Sequence, residues 1–155
     1  MRLEYFDMID TVDVFDVKAG HVETTARVPE KSTVFEGHFP GYPIMPGVLL
    51  LETMNHTSGY LMLGMYEFGR LPFFAGAKRV KIRRFVLPGM VMKIKADLVH
   101  EGSGFCMTQN EIRVDGELIA EAELTMMVMD FPSPELPELV RERARQHGVA
   151  MRLPT

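Results

Sequence analysis

Hydrophobic positions change their spacing several times along the chain, and each change marks an element. Residues 3–16 carry apolar side chains in strand-like alternation, and "KAGH" (18–21) reads as the turn into a second strand, "VETTARV". A stretch rich in proline and glycine, "GHFPGYPIMPG" (37–47), then breaks the pattern. From about Gly47 to Met65 the chain is apolar on nearly all sides, which predicts a helix buried almost all round. The remainder reads as strands over 73–86, 90–100, 105–114 and 117–129. Pro88-Gly89 fits the central positions of a type II turn, "EGSG" (101–104) makes the next, and Asp115-Gly116 is a hairpin signal. In "PSPELPELVRERARQHG", Glu135 and Glu138 stand at a helix start, basic side chains follow, and Gly148 sits where a C-cap belongs. This order predicts an α+β fold, a curved antiparallel sheet wrapped around one long central helix. Residues 1–130 make that domain, and 131–155 add a peripheral helix and tail to it.

Charge and composition narrow the classes. A net charge of −4 gives no reason to expect nucleic acid or an anionic membrane as partner. The one cysteine, Cys106, cannot form an internal disulfide, and no metal-type Cys/His spacing surrounds it. The acidic start, "MRLEYFDMID", lacks the apolar core of a signal peptide, so export is not expected, and the longest apolar stretch is interrupted by Pro46, Glu52, Asn55 and His56. A cytoplasmic protein with no membrane span is the expectation. Thirteen methionines suit irregular core spaces, or a surface that accepts a long flexible ligand.

The chemistry concentrates at the proline-rich loop and the helix behind it. Val48, Glu52, His56, Gly59 and Leu63 fall on one helical stripe, and Glu52 is the single acid between Gly47 and Glu67. Such a carboxylate is either a structural group bonded to His56 or backbone, or a proton-transfer group with a raised pKa. Burial in so apolar a helix favours a neutral His56 and a protonated Glu52. His38 lies in a loop stiffened by Pro40, Pro43 and Pro46, and stiff loops hold side chains in place for chemistry. Gly47 falls at the helix start, where free N–H groups can receive an oxyanion. Base, acid and oxyanion site together suit proton removal beside a carbonyl. His38, Glu52 and His56 as metal ligands are the alternative, weakened because no carboxylate stands by to orient the imidazoles. Lys78, Arg79, Lys81, Arg83 and Arg84 make one strand basic, either as a solvated face or as a docking cluster for an acidic partner.

"FEGHFPGYPIMPGVLLLET" resembles the signature of FabZ-type (3R)-hydroxyacyl-acyl-carrier-protein dehydratases, and "FFAGAKRVKIRRFVLPG" and "VDGELIAEAEL" resemble that family's later strands. The resemblance covers roughly residues 3–130. It implies the hot-dog fold, a homodimer with active sites at its interface, trimers of dimers, and no cofactor or metal. It implies dehydration of a 3-hydroxyacyl-acyl-carrier-protein to the trans-2-enoyl product, in fatty acid or lipid A acyl-chain synthesis. His38 corresponds to the base that removes the C2 proton, and Glu52, from the other subunit, to the acid that protonates the 3-hydroxyl. The Gly47 N–H corresponds to the thioester carbonyl's donor, and the Ile44 carbonyl holds His38. Val48, His56, Phe74 and Gly76 are placed along the substrate, and the basic strand becomes a carrier-protein docking surface. A non-catalytic acyl-binding module and a hot-dog thioesterase are the alternatives. Three departures stand out: His56 where the family has Gln, "LEYFDMIDTV" in place of an N-terminal helix and a His-x-Tyr-Pro-Phe stretch, and Met90 in place of a turn Asp. "FEGHFPG", "LLLETM" and "GSGF" are similar to a divergent branch linked to very-long-chain acyl groups on a dedicated carrier.

Overall fold

The computed structural model describes residues 1–149. After a short 3-10 turn at Leu3–Tyr5 come strands β1 (Thr11–Asp16) and β2 (His21–Arg27) and a one-turn helix, α1 (Thr33–Gly37). The long helix α2 (Gly47–Met65) is followed by β3 (Leu71–Ile82), β4 (Val91–Gly102), β5 (Phe105–Val114) and β6 (Glu117–Met129). Helix α3 (Leu136–Gln146) ends the described chain, so residues 150–155 of the expected tail lie outside it. All six strands form one antiparallel sheet in the order β1-β2-β4-β5-β6-β3, with α2 packed against its inner face. This is the hot-dog arrangement.

The turns follow from their residues. Met90 N–H donates to the Leu87 carbonyl (3.2 Å) across Pro88-Gly89, and Gly89 has φ +82°, as a type II turn requires. Asp115 and Gly116 both have positive φ, which fits the two-residue hairpin turn. Gly148 (φ +89°) closes α3 with a bond to the Arg145 carbonyl.

Two expectations need correction, and one element is unforeseen. The first part of residues 3–16 is a 3-10 turn, not strand, with Phe6 left-handed at its end. The stretch before the loop contains α1, too short to show a helical period. Nor is α2 sealed all round. Leu50, Met54, Leu61 and Met62 are buried against the sheet, each worth about 1.5–3 kcal/mol. On the opposite face Val48 is 73% exposed, and Glu52, His56 and Gly59 are only partly covered.

A polar seam lies inside this core. The Ser58 hydroxyl meets Thr108 Oγ1 and Asn110 Oδ1, each at 2.7 Å, and the Thr24 and Thr57 hydroxyls meet at 2.8 Å. These groups are all fully buried or nearly so, and the pairing offsets their desolvation. Among the described residues no helix is long and apolar enough to cross a membrane.

Candidate active site

The site begins with the N-terminal segment. Glu4 accepts from the Ser32 hydroxyl (2.6 Å) and from the Thr33 N–H (2.9 Å), and these bonds, Ser32 first, hold its carboxyl down at about 2. Ser32 in turn caps α1 by accepting from the Val34 N–H (3.1 Å). α1 is thereby fixed at its start, and His38 stands at its end with its N–H bonded to the Val34 carbonyl (3.1 Å).

Beyond His38 the loop folds on itself. Phe39 and Tyr42 exchange backbone bonds of 3.0 and 2.9 Å around Gly41, whose φ of +76° glycine tolerates best. Ile44 N–H donates to the His38 carbonyl (2.8 Å), and His38 Nδ1 donates to the Ile44 carbonyl (3.0 Å). A carbonyl only accepts, so Nδ1 carries the proton and Nε2 is left free as a base.

Pro46 precedes α2, and its carbonyl takes the N–H groups of Leu49 (3.0 Å) and Leu50 (3.2 Å). Among the described residues the Gly47 and Val48 N–H groups donate to nothing, at the positive end of the helix dipole. A Cβ on Gly47 would stand 2.8 Å from Ile82 Cδ1, so glycine lets the helix start approach the end of β3. His38, Ile44, Gly47, Ile82 and Phe85 line a recess of ≈190 Å³. His38 and the start of α2 therefore share one cleft.

Glu52 does not line it. Its Oε1 is 2.7 Å from His56 Nε2, and its Oε2 accepts from Asn55 Nδ2 at 3.2 Å. Burial pushes the carboxyl up, but the His56 hydrogen bond and charge, with Asn55, outweigh it and hold the carboxyl below its ordinary value. The expected protonated Glu52 is thus reversed in the single chain. The side chain keeps 30% exposure, and the His56 ring can bring a positive charge to it. The supposed metal trio is also not assembled, since Glu52 and His56 are bonded to each other while His38 lies in a separate recess.

Phe74 and Gly76 sit on β3, a sheet edge, and line neither recess. The basic strand is largely paired with its neighbour. Arg79 reaches Glu123 (3.0 Å), Lys81 and Arg83 reach Glu121 (3.8 and 3.1 Å), and Arg84 reaches Glu117. The register shifts between Lys78 and Lys81, with Arg79 left-handed (φ +51°), so simple alternation does not describe this strand. Only Lys78 of the five lacks an ion pair among the described residues. Sequence reasoning missed Asn55, three residues beyond Glu52 and so within reach on a helix, and the Ile82 and Phe85 walls of the His38 cleft.

A hot-dog fold with a loop histidine beside a helix N-terminus defines the class, and a FabA-like domain matches residues 2–123. The chain belongs to that family. It is 33% identical over 124 residues to the 3-hydroxyacyl-[acyl-carrier-protein] dehydratase FabZ of Enterococcus faecalis, covering 79% of this chain and 87% of the relative. The enzyme of the same name from Symbiobacterium thermophilum is 36% identical over 132 residues, 84% and 92% of the two chains. Among solved structures, a hypothetical thioesterase with coenzyme A from Streptococcus pneumoniae aligns at TM-score 0.61 and 20% identity, over 79% and 87% of the two chains. The conserved protein PA5202 from Pseudomonas aeruginosa aligns at TM-score 0.64 and 21% identity, over 83% and 94%. These two likenesses speak to the fold.

Proposed function

We infer that this chain dehydrates a 3-hydroxyacyl thioester carried on acyl carrier protein, in fatty acid synthesis, and does so as a homodimer. The observation that carries the reading is His38, its Nδ1 committed to Ile44, facing the free N–H of Gly47 across one cleft. Family membership and the FabZ relatives support the substrate class.

The chemistry follows from the groups present. With the thioester carbonyl oxygen at the Gly47 N–H, His38 Nε2 takes a proton from C2, and the electron pair moves into the carbonyl as an enolate. The pair returns to form the C2–C3 double bond as the C3–O bond breaks. Glu52 of the partner gives its proton to the departing hydroxyl, and water leaves. The products are the trans-2-enoyl thioester and water, with His38 protonated and Glu52 ionised.

A dimer is supported by what one chain leaves open. β3 is a twelve-residue edge strand whose Val80 and Ile82 are exposed, and Val48 and Phe85 (73% and 61%) stand beside it. An edge this long and apolar invites pairing with a second copy. Joining two copies there covers the open face of α2 and removes water from Glu52. That strengthens the desolvation already pushing its carboxyl up, toward the protonated form an acid requires.

The test is purified protein with 3-hydroxyacyl-carrier-protein substrates, following enoyl absorbance and free thiol together. Enoyl formation without thiol release is expected. Thiol release without enoyl formation would make it a thioesterase instead.

A further inference from the structure

Each turnover of the proposed reaction leaves Glu52 without the proton it has just given away. That proton must be replaced before the next substrate is dehydrated. In the proposed dimer the partner shields Glu52 from water, and Glu52 lines neither recess of its own chain. The group bonded to it that can carry a proton is His56.

His56 is placed for this on both sides of its ring. Nε2 lies 2.7 Å from Glu52 Oε1, one helical turn back along α2. Nδ1 makes no hydrogen bond among the described residues, and the side chain keeps 33% exposure. The ring also lines a second recess, an open one between α2 and α3. This recess adjoins Leu71 and Pro72, at the opposite end of β3 from Val80 and Ile82. The other titratable groups on it are engaged elsewhere. The Tyr60 hydroxyl of α2 is bonded to His147, and the Arg143 guanidinium of α3 stands 3.2 Å from the Asp7 carboxylate. From β3 and β6 only Leu71, Pro72 and Met126 face it.

We propose that His56 is the proton relay of Glu52, carrying a proton from solvent in the α2–α3 recess to the spent carboxylate between turnovers. The proposal rests on the dehydratase reading, which makes Glu52 the acid. Water or a buffer acid gives a proton to Nδ1, the Nε2–H bond breaks, and Oε1–H forms. Exchange with water then returns the ring to its Nε2–H form. His38 releases the C2 proton to water on its own side, so one proton enters and one leaves in each turnover. Imidazole suits the task because its ordinary pKa lets it take and give a proton near neutral pH. A glutamine here could donate the same hydrogen bond but could carry no proton.

The test compares the parent with His56→Gln, which keeps a donor for Glu52, and His56→Ala, which leaves room for free imidazole. Enoyl absorbance is followed by stopped flow with the 3-hydroxyacyl-carrier-protein substrate that the parent turns over fastest, at low buffer and on the plateau of each pH profile. In both variants kcat should fall about tenfold or more, less than the ~10²–10⁴-fold expected for losing Glu52 itself. The first turnover starts from protonated Glu52, so it should stay near the parent rate and appear as a burst before the slower steady state. For the same reason kcat should fall more than kcat/KM. Added imidazole should speed the later turnovers of His56→Ala, and a bulky buffer at the same pH should not. An unchanged kcat, a first turnover slowed as much as the later ones, or indifference to imidazole would each overturn the relay. Should the parent itself form no enoyl product, the dehydratase reading fails and the relay with it, which is distinct from an active parent whose variants keep its kcat.

Discussion

Mixing two inactive variants tests whether the site is shared between chains. His38 lines one recess of the chain while Glu52 lies outside it, bonded to His56, so the proposed site that contains both is one assembled across a two-fold axis. His38→Ala and Glu52→Gln should each lower dehydration by ~10²–10⁴-fold, the worth of a positioned proton-transfer group. In a fully exchanged equimolar mixture, half of the dimers carry one chain of each kind. Such a dimer has one doubly broken site and one intact site, with His38 from one chain and Glu52 from the other. Activity should return to about a quarter of the wild-type level, well above either parent. The assay follows enoyl formation after exchange, with heterodimers isolated through different affinity tags on the two variants. Heterodimers verified by mass yet no more active than the parents would show that His38 and Glu52 of one chain serve the same site.

Two more expectations concern the surroundings of this site. His56→Gln keeps a hydrogen-bond donor for Glu52 but removes the positive charge that draws its carboxyl below the ordinary value. The carboxyl then rises, and since the acid must be protonated, the alkaline limb of the kcat profile should move to higher pH; an unmoved limb would show that His56 is neutral in the working enzyme. Replacing Arg79, Lys81 and Arg83 together by Gln should slow carrier-bound substrate more than pantetheine substrate, with the difference vanishing at high salt, since exposed charges are screened beyond ~10 Å at 0.1 M. Equal losses on both substrates would leave these side chains as cross-strand partners of Glu121 and Glu123 only.

Much of this architecture is legible in the chain because local signals agree with it. Helix α2 and strands β5 and β6 have the expected limits, set by Pro46 before the helix and by Asp115-Gly116 between the strands. The expected strand over 73–86 runs instead from Leu71 to Ile82, since its end depends on pairing with β6. The same distance along the sequence hides the ion pairs of the basic strand, whose carboxylates lie some forty residues away. Of the site, His38, Ile44 and Gly47 are readable because they sit within one short loop. The open face of α2 is not, since an apolar helix with one uncovered face has the same composition as one buried all round in its own core. Nor is the open recess between α2 and α3, which needs Met126 and Val140 brought to one side of the helix.

The buried hydroxyls beneath α2 act as a ruler. The helix is a rigid rod with the free Gly47 N–H on its first residue and the Glu52 carboxyl just over a turn later. Where that rod stops along its own axis is metered by Ser58, seated between Thr108 and Asn110, and by Thr57 against Thr24. Sliding the rod would strand these groups without partners in a dry interior, at about 1–3 kcal/mol for each. Apolar side chains alone would set its position far less sharply, because one greasy contact substitutes readily for another. In the proposed dimer, the spacing between an amide on one chain and a carboxyl reaching in from the next would thus be calibrated by hydroxyls that face away from both.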